Sequence, residues 1–140
     1  MFNLKEGATA RRGSLSTAEN LPESAILLYS VGSFELWIDQ DIGVLFVKVI
    51  NYKSTLLEIP NDDLWKIIGI FYPEYSLVEK LGSIAMIVAM PKRAEELGQT
   101  ISFSLLIDKI NRSLIVQVLE YDANFIAIPK YVLLDVARSM

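Results

Sequence analysis

The chain has 140 residues, 52% of them hydrophobic, and its 13 basic and 17 acidic residues give a net charge of −4. It contains neither cysteine nor histidine, which excludes zinc sites built from these ligands, thiolate nucleophiles and imidazole acid–base catalysis. We therefore expect a protein that is not an enzyme and that holds neither a metal nor a cofactor.

The length suits one compact domain with a core of its own. The first residues, MFNLKEGATARRGS, lack the apolar segment of a secretory signal, and apolar runs such as Ile84–Met90 are much shorter than the roughly 20 residues of a membrane helix. These features indicate a cytoplasmic protein with no membrane partner. Thermolabile side chains are scarce, with no cysteine and three glutamines, which favours a thermophile as the source.

Residues 1–24 show almost no periodic apolar pattern, so we expect a flexible N-terminal arm. Apolar and polar residues then alternate between turn signals, which predicts antiparallel strands at Ile26–Ser30, Phe34–Asp39, Val44–Tyr52 and Leu56–Ile59. Pro60 ends the last strand, and the helical period of apolar residues that follows predicts a helix capped by Asn61 or Asp62.

Residues 33–71 and 102–140 align without a gap at an offset of 69, with twelve identities. The second copy therefore predicts a strand at Ser83–Met90, a loop at Pro91–Thr100, strands at Ile101–Asp108, Leu114–Tyr121 and Phe125–Ile128, and a helix from Lys130. We expect an α+β fold with a tandem ββββα repeat, in which antiparallel sheets carry their helices on one side. Residues 25–82 would form the first repeat with its linker, and residues 83–140 the second, within one compact domain.

The two faces of the predicted sheets differ in how well the copies agree. Because side chains alternate across a strand, the identities fall on one face, which we expect to be core: Phe34, Leu36, Ile38, Leu45, Val47 and Val49, with Phe103, Leu105, Ile107, Leu114, Val116 and Val118. The opposite face is apolar too, but differs between the copies. Since a free sheet face is normally polar, we expect another surface to cover it, which indicates a homodimer or higher oligomer.

Two motifs carry a resemblance to a known family. Phe34-x-Leu36-x-Ile38-Asp39, followed by Gly43-x-Leu45-Phe46-Val47-Lys48-Val49, is similar to a strand pair of the PUR repeat, and Ile59-Pro60-x-x-x-Leu64-Trp65-x-x-Ile68 resembles the last strand and helix start of the same family. That family includes the transcriptional coactivator PC4, the PUR repeats of Pur-alpha and the plant Whirly proteins. The resemblance implies paired ββββα units, helices packed between them, and curved sheets that bind single-stranded DNA or RNA.

The candidate binding residues follow from this implied function. Aromatic side chains on the free face can stack unpaired bases, and we name Trp37, Phe46, Tyr52 and Tyr121. Basic side chains can contact phosphates, and we name Lys48, Lys92, Arg93, Lys109 and Arg112. The alternative is that the aromatic residues form a subunit interface and that the charges are merely solvated.

The pair Asp39 and Asp41 has the spacing of a carboxylate site for Mg²⁺, but aspartate is also the ordinary residue of a hairpin turn, and we favour the turn. Our hypothesis from the sequence is a protein that binds single-stranded DNA or RNA with aromatic residues on a sheet face. The alternative is a structural or adaptor module, such as an oligomeric scaffold of archaeal or viral origin, with no nucleic-acid binding.

Overall fold

Each half of the chain folds into an antiparallel sheet followed by one helix, so the fold class is α+β as predicted. The computed structural model describes residues 16–18, 20–50, 56–71, 83–87, 89–100, 102–119 and 125–140. The first half contains β1 (Ser16–Ala18), β2 (Ile26–Val31), β3 (Phe34–Asp39), β4 (Val44–Val49), β5 (Leu56–Pro60) and α1 (Asn61–Ile70). The second half contains β6 (Ala85–Ile87), β7 (Glu95–Gln99), β8 (Phe103–Asp108), β9 (Ser113–Val118), β10 (Phe125–Pro129) and α2 (Lys130–Arg138). Among the described residues, no helix is long and apolar enough to cross a bilayer.

Within the described residues, each half has five strands rather than the predicted four. The first sheet has the order β1-β5-β4-β3-β2 and the second the order β6-β10-β9-β8-β7, so the opening strand of each half pairs with the strand that precedes the helix. The offset of 69 residues also relates β1 to β6. The predicted ββββα unit is therefore corrected to βββββα. Residues 16–18, which the sequence assigns to the arm, belong to the first sheet, and residues 1–15 lie outside the described residues.

In the second half, one predicted strand is shorter than expected and one predicted loop is wrong. Ser83–Met90 is predicted as one strand, but β6 covers three of these residues and pairs with β10. Pro91–Thr100 is predicted as a loop, yet it contains β7, which pairs with β8. Glutamate and glycine are depleted in strands, so the segment EELGQ has no strand pattern of its own. The segment is a strand because it pairs with β8, and this pairing cannot be predicted from its own residues.

The core predicted from the repeat identities is confirmed. Its members on β3 and β8 are at most 3% exposed: Phe34, Leu36, Ile38, Phe103, Leu105 and Ile107. They form one hydrophobic core with the inner residues of β4 and β9 and with the apolar sides of both helices. The two halves therefore share a single core.

Helix α2 joins the two halves at its C-terminal end. The Gln40 side chain, in the turn after β3, donates a hydrogen bond from Nε2 to the Ser139 carbonyl oxygen at 2.7 Å. Burial raises the pKa of the Tyr29 phenol on β2, and the nearby Asp135 and Tyr131 of α2 raise this pKa further. The last helix of the chain thus lies against the first sheet.

Each helix follows a proline at its N-cap position, and α1 lacks the predicted side-chain cap by Asn61 or Asp62. Pro60 and Pro129 occupy the N-cap positions with no side-chain hydrogen bond. Instead, the first helical amide donates to a carbonyl of the turn between the two central strands: Asn61 N to Gly43 O and Lys130 N to Arg112 O, both at 2.8 Å. One free N–H of each helix is thereby satisfied by the preceding hairpin.

Gly43 and Arg112 are repeat-equivalent and both have left-handed backbone conformations, with φ of 69° and 52°. A Cβ at Gly43 would meet only ordinary contact, 3.9 Å from the Asn61 Cβ, so the cost of a side chain there is conformational. We expect Gly43→Ala to destabilise the protein by about 1–2 kcal/mol. We expect Arg112→Gly to be more stable than Arg112→Ala by a similar amount.

Both variants at position 112 lack the guanidinium group, so their difference isolates the backbone term from any contact of the arginine. Urea unfolding of the three variants measures it. Equal stability of the alanine and glycine variants at position 112 would contradict the conformational explanation.

A second glycine with positive φ lies where the two halves meet. Gly32, with φ of 58°, is in the turn between β2 and β3, and a Cβ added there would overlap the sulfur of Met86 on β6 and lie 3.1 Å from its Cγ. The Met86 sulfur accepts a hydrogen bond from the Ser33 amide at 3.3 Å. This turn of the first sheet therefore packs directly on a strand of the second.

We expect Gly32→Ala to destabilise the protein by roughly 1–3 kcal/mol from overpacking, in addition to about 1–2 kcal/mol from the left-handed backbone. In a Met86→Ala background the overpacking disappears, so the same substitution should cost only the backbone part. A double-mutant cycle measured by thermal or urea unfolding tests this. If the effects of the two substitutions on the free energy of unfolding were additive, overpacking against Met86 would not be the cause of the loss of stability.

Candidate nucleic-acid interface

Phe46, predicted to stack bases, is buried beneath the outer face of the first sheet, the face that points away from the core. Its side chain is 2% exposed and packs in a small cluster with Val44 and Leu56. Leu21, from the segment before β2, and Trp37, its partner across β3 and β4, pack against this cluster. Phe46 therefore presents no ring face to a base in this conformation, and we remove it from the candidate residues.

Trp37 is half-buried, and its polar surroundings are acidic. The indole Nε1 donates a hydrogen bond to the Glu35 Oε1 at 3.0 Å. The predicted cation Lys48 lies opposite Glu35 in the register of β3 and β4. Glu58 of β5 lies opposite Phe46, one strand further. One carboxylate thus contacts the tryptophan and a second lies two strands away on the same face, and both disfavour a phosphate chain there.

The remaining aromatic candidates, Tyr52 and Tyr121, lie outside the described residues. Of the predicted stacking residues that the structure describes, Trp37 alone keeps part of its side chain accessible. An aromatic platform on the first sheet is therefore not what the described residues form.

A cleft of about 340 Å³ opens on the outer face of the second sheet. Its floor is apolar and combines the small side chains of Ala85 on β6 and Ala127 on β10 with the larger Ile87 and Ile115. Its polar lining comes from the turn between β8 and β9 and from the segment that leads into β6. The full set of lining residues is Ser83, Ala85, Ile87, Pro91, Asp108, Ile110, Asn111, Ser113, Ile115, Ala127 and Pro129. A volume of this size is at the lower end of ligand pockets.

Four of the five predicted cations are within two residues of cleft-lining residues in the sequence. Lys92 and Arg93 follow the lining residue Pro91, whereas Lys109 and Arg112 alternate with lining residues in the turn between β8 and β9. Residues 91–93 and 108–113 together carry four cations and one carboxylate, a local charge of +3. Lys92, Arg93 and Lys109 are exposed, and Arg112 is half-buried. The fold therefore brings together two basic segments that are far apart in the sequence.

Acidic residues bound this basic region on one side. Glu95 and Glu96 open β7, directly after the first basic segment, and both are exposed. A phosphate chain would be attracted to the cleft rim and repelled from this edge of the sheet. The electrostatics therefore favour one path for an anionic ligand, away from β7.

The carboxylate in the cleft, Asp108, is 1% exposed and holds the turn together. Its Oδ1 accepts hydrogen bonds from the Ile110 and Asn111 amides, and its Oδ2 accepts one from the Asn111 side chain at 2.8 Å. The repeat-equivalent Asp39 accepts the Asp41 amide at 2.9 Å and the Ser24 hydroxyl at 2.7 Å. The turn interpretation of these aspartates is confirmed. The described residues contain no group of three or more metal-ligating side chains.

The corresponding region of the first sheet is filled. In the repeat, the cleft residue Ile115 corresponds to Phe46, and the cleft residue Ala127 corresponds to Glu58. Leu21 packs against the cluster that contains Phe46. The larger side chains close the first sheet where the smaller ones leave a cleft in the second. The alignment of the two copies contains this signal, because smaller residues of the second copy align with larger residues of the first.

Comparison of the chain with protein-family models, curated proteins and solved structures gives no match. The cleft and the residues around it are therefore the basis for assigning a function.

Because Phe46 is a core residue of its own small cluster, we expect Phe46→Ala to lower the free energy of unfolding by about 3–5 kcal/mol. Trp37→Ala, at a half-buried position, should cost clearly less. Urea unfolding followed by circular dichroism measures both values. If Phe46→Ala left stability unchanged, the residue would be free to serve as a surface platform.

Proposed function

We propose that the protein binds single-stranded DNA or RNA at the cleft of the second sheet and that it is not an enzyme. The observation that supports this proposal is that two separate basic segments, residues 91–93 and 108–113, both contribute residues to the lining of one cleft, and that four cations lie within two residues of these lining residues in the chain. Phosphates would contact Lys92, Arg93, Lys109 and Arg112, and an unpaired base would enter the cleft.

The chemistry of the cleft suits an unpaired base. An apolar floor accepts the faces of a base, while the Ser83 and Ser113 hydroxyls and the Asn111 amide offer donors and acceptors to its edge. A paired base does not present that edge, which favours single strands over duplex. Stacking on aromatic side chains would add little at this site, so we expect moderate affinity with low sequence preference.

The resemblance to the PC4, PUR and Whirly family supports the same class of ligand, because it implies binding on a sheet face. The site proposed here differs in its chemistry, since it depends on a cleft between basic turns. Lys48 and Trp37 belong to the first sheet and take no part in it.

The binding hypothesis is tested by neutralising the cleft rim. Lys92→Gln/Arg93→Gln should weaken binding of a fluorescently labelled single-stranded oligonucleotide, measured by anisotropy at low salt. With four phosphate contacts the slope of log K against log salt should be about −3 for the unmodified protein, and removal of two cations should reduce its magnitude by about 1.4.

The matched control is Lys48→Gln/Arg138→Gln, which removes the same charge from the first sheet and from the end of α2. It should bind as the unmodified protein does. Equal weakening by both double variants would indicate unspecific attraction to charge. Loss of binding in the control alone would place the site outside the cleft, and loss in Trp37→Ala would place it on the first sheet. If the unmodified protein binds no DNA or RNA oligonucleotide at low salt, nucleic-acid binding is excluded.

The second candidate function is a structural or adaptor module without nucleic-acid binding. One observation favours it: large apolar side chains are exposed on the first half, at Ile26, Leu27, Ile42 and Trp65. Such side chains suit a protein partner better than a nucleic acid. Absence of oligonucleotide binding together with self-association would support this function.

A further inference from the structure

The two sheets end in edge strands that can be compared residue by residue. β2 borders the first sheet and β7 borders the second, each pairs with the strand that follows it, and each has a β-bulge at the equivalent position, Leu28 and Leu97. The two edges have the same geometry in outline. A difference between their side chains therefore changes which neighbouring strand or molecule each edge can bind.

The side chains before the bulge differ in kind. On β2 they are Ile26 and Leu27, which are 52% and 43% exposed. At the equivalent positions, β7 has the exposed residues Glu95 and Glu96. Charged residues on an edge strand prevent another strand from adding to the sheet, whereas an apolar edge permits it. Both edges carry the bulge, but only the edge of the second sheet carries charged side chains beside it.

Further features make β2 suited to strand addition. It has six residues, ILLYSV, with no charge and no proline, whereas the edge strands β1 and β6 have three residues each. Leu27 lies opposite the half-buried Trp37 in the register of β2 and β3, so the apolar strip continues from the edge onto the outer face. A strand added at this edge would find both unpaired backbone groups and apolar contacts.

We propose that β2 pairs antiparallel with β2 of a second copy of this chain, so that the two first sheets form one continuous sheet across a twofold axis. Among pairings of β2 and β7, this one alone brings together two uncharged strands. Pairing of β7 with β7 would oppose four glutamates, and pairing of β2 with β7 would place Glu95 and Glu96 against an apolar edge. A twofold pairing also closes the assembly as a dimer, because each copy uses the same strand.

The charge pattern of β7 can be transferred to β2 as a test. In light scattering at micromolar concentration, the unmodified protein should have twice the mass of the 15.7 kDa chain. Ile26→Glu/Leu27→Glu should halve this mass while the circular dichroism spectrum stays unchanged. Hydrogen exchange should show protected amides across Ile26–Val31 in the dimer and faster exchange there in the variant.

Two control variants separate this edge from other surfaces. Glu95→Gln/Glu96→Gln changes the other edge, and Trp65→Glu places a charge at an apolar residue of α1 that is 42% exposed. Both should remain dimers. A monomeric unmodified protein, a dimer that persists in Ile26→Glu/Leu27→Glu, or a dimer broken by Trp65→Glu alone would each overturn the proposal. The result does not depend on nucleic-acid binding, since β2 and the cleft belong to different sheets.

Discussion

The shared core is the constraint on which the rest of this structure depends. Two five-stranded sheets and two short helices bury their apolar sides in one continuous cluster, and none of these elements has enough apolar surface to form a stable core alone. Many positions that face this core, such as Phe34 and Phe103, are identical in both copies, and others, such as Leu57 and Ile126, keep an apolar residue. Positions on the outer faces are free of this constraint, and there the copies have diverged.

The sequence predicted the core well because the repeat reports it twice. Where two copies keep the same residue at every second position, burial is the simplest physical cause, and the structure agrees at β3, β4, β8 and β9. The helix starts after Pro60 and Pro129 were also predictable from the sequence, because proline cannot donate a hydrogen bond to the sheet and fits the start of a helix. These features can be predicted because each depends on a short stretch of sequence, and the core pattern occurs in both copies.

The features that the sequence did not reveal depend on contacts between distant segments. β1 and β6 have three residues each and are defined by pairing with β5 and β10. β7 contains two glutamates and a glycine, and becomes a strand because β8 lies beside it. Phe46 is buried because its neighbours in space include Leu21, 25 positions earlier in the chain. The cleft has the same origin, since its walls come from β6, β10 and the turn between β8 and β9.

The two halves differ in their edge strands and in their outer faces. The first half has an apolar edge strand and an outer face filled by Phe46, whereas the second half has an acidic edge strand and a cleft bordered by cations. The proposed self-association through β2 would use residues of the first sheet only and would leave the cleft of each copy free. A dimer of this kind would carry two clefts on one rigid body, and a strand long enough to reach both would bind more tightly than a short one, because the second contact is intramolecular. Two related units that share one core can thus differ on their outer faces, which is the physical basis for proposing an association edge on one sheet and a ligand cleft on the other.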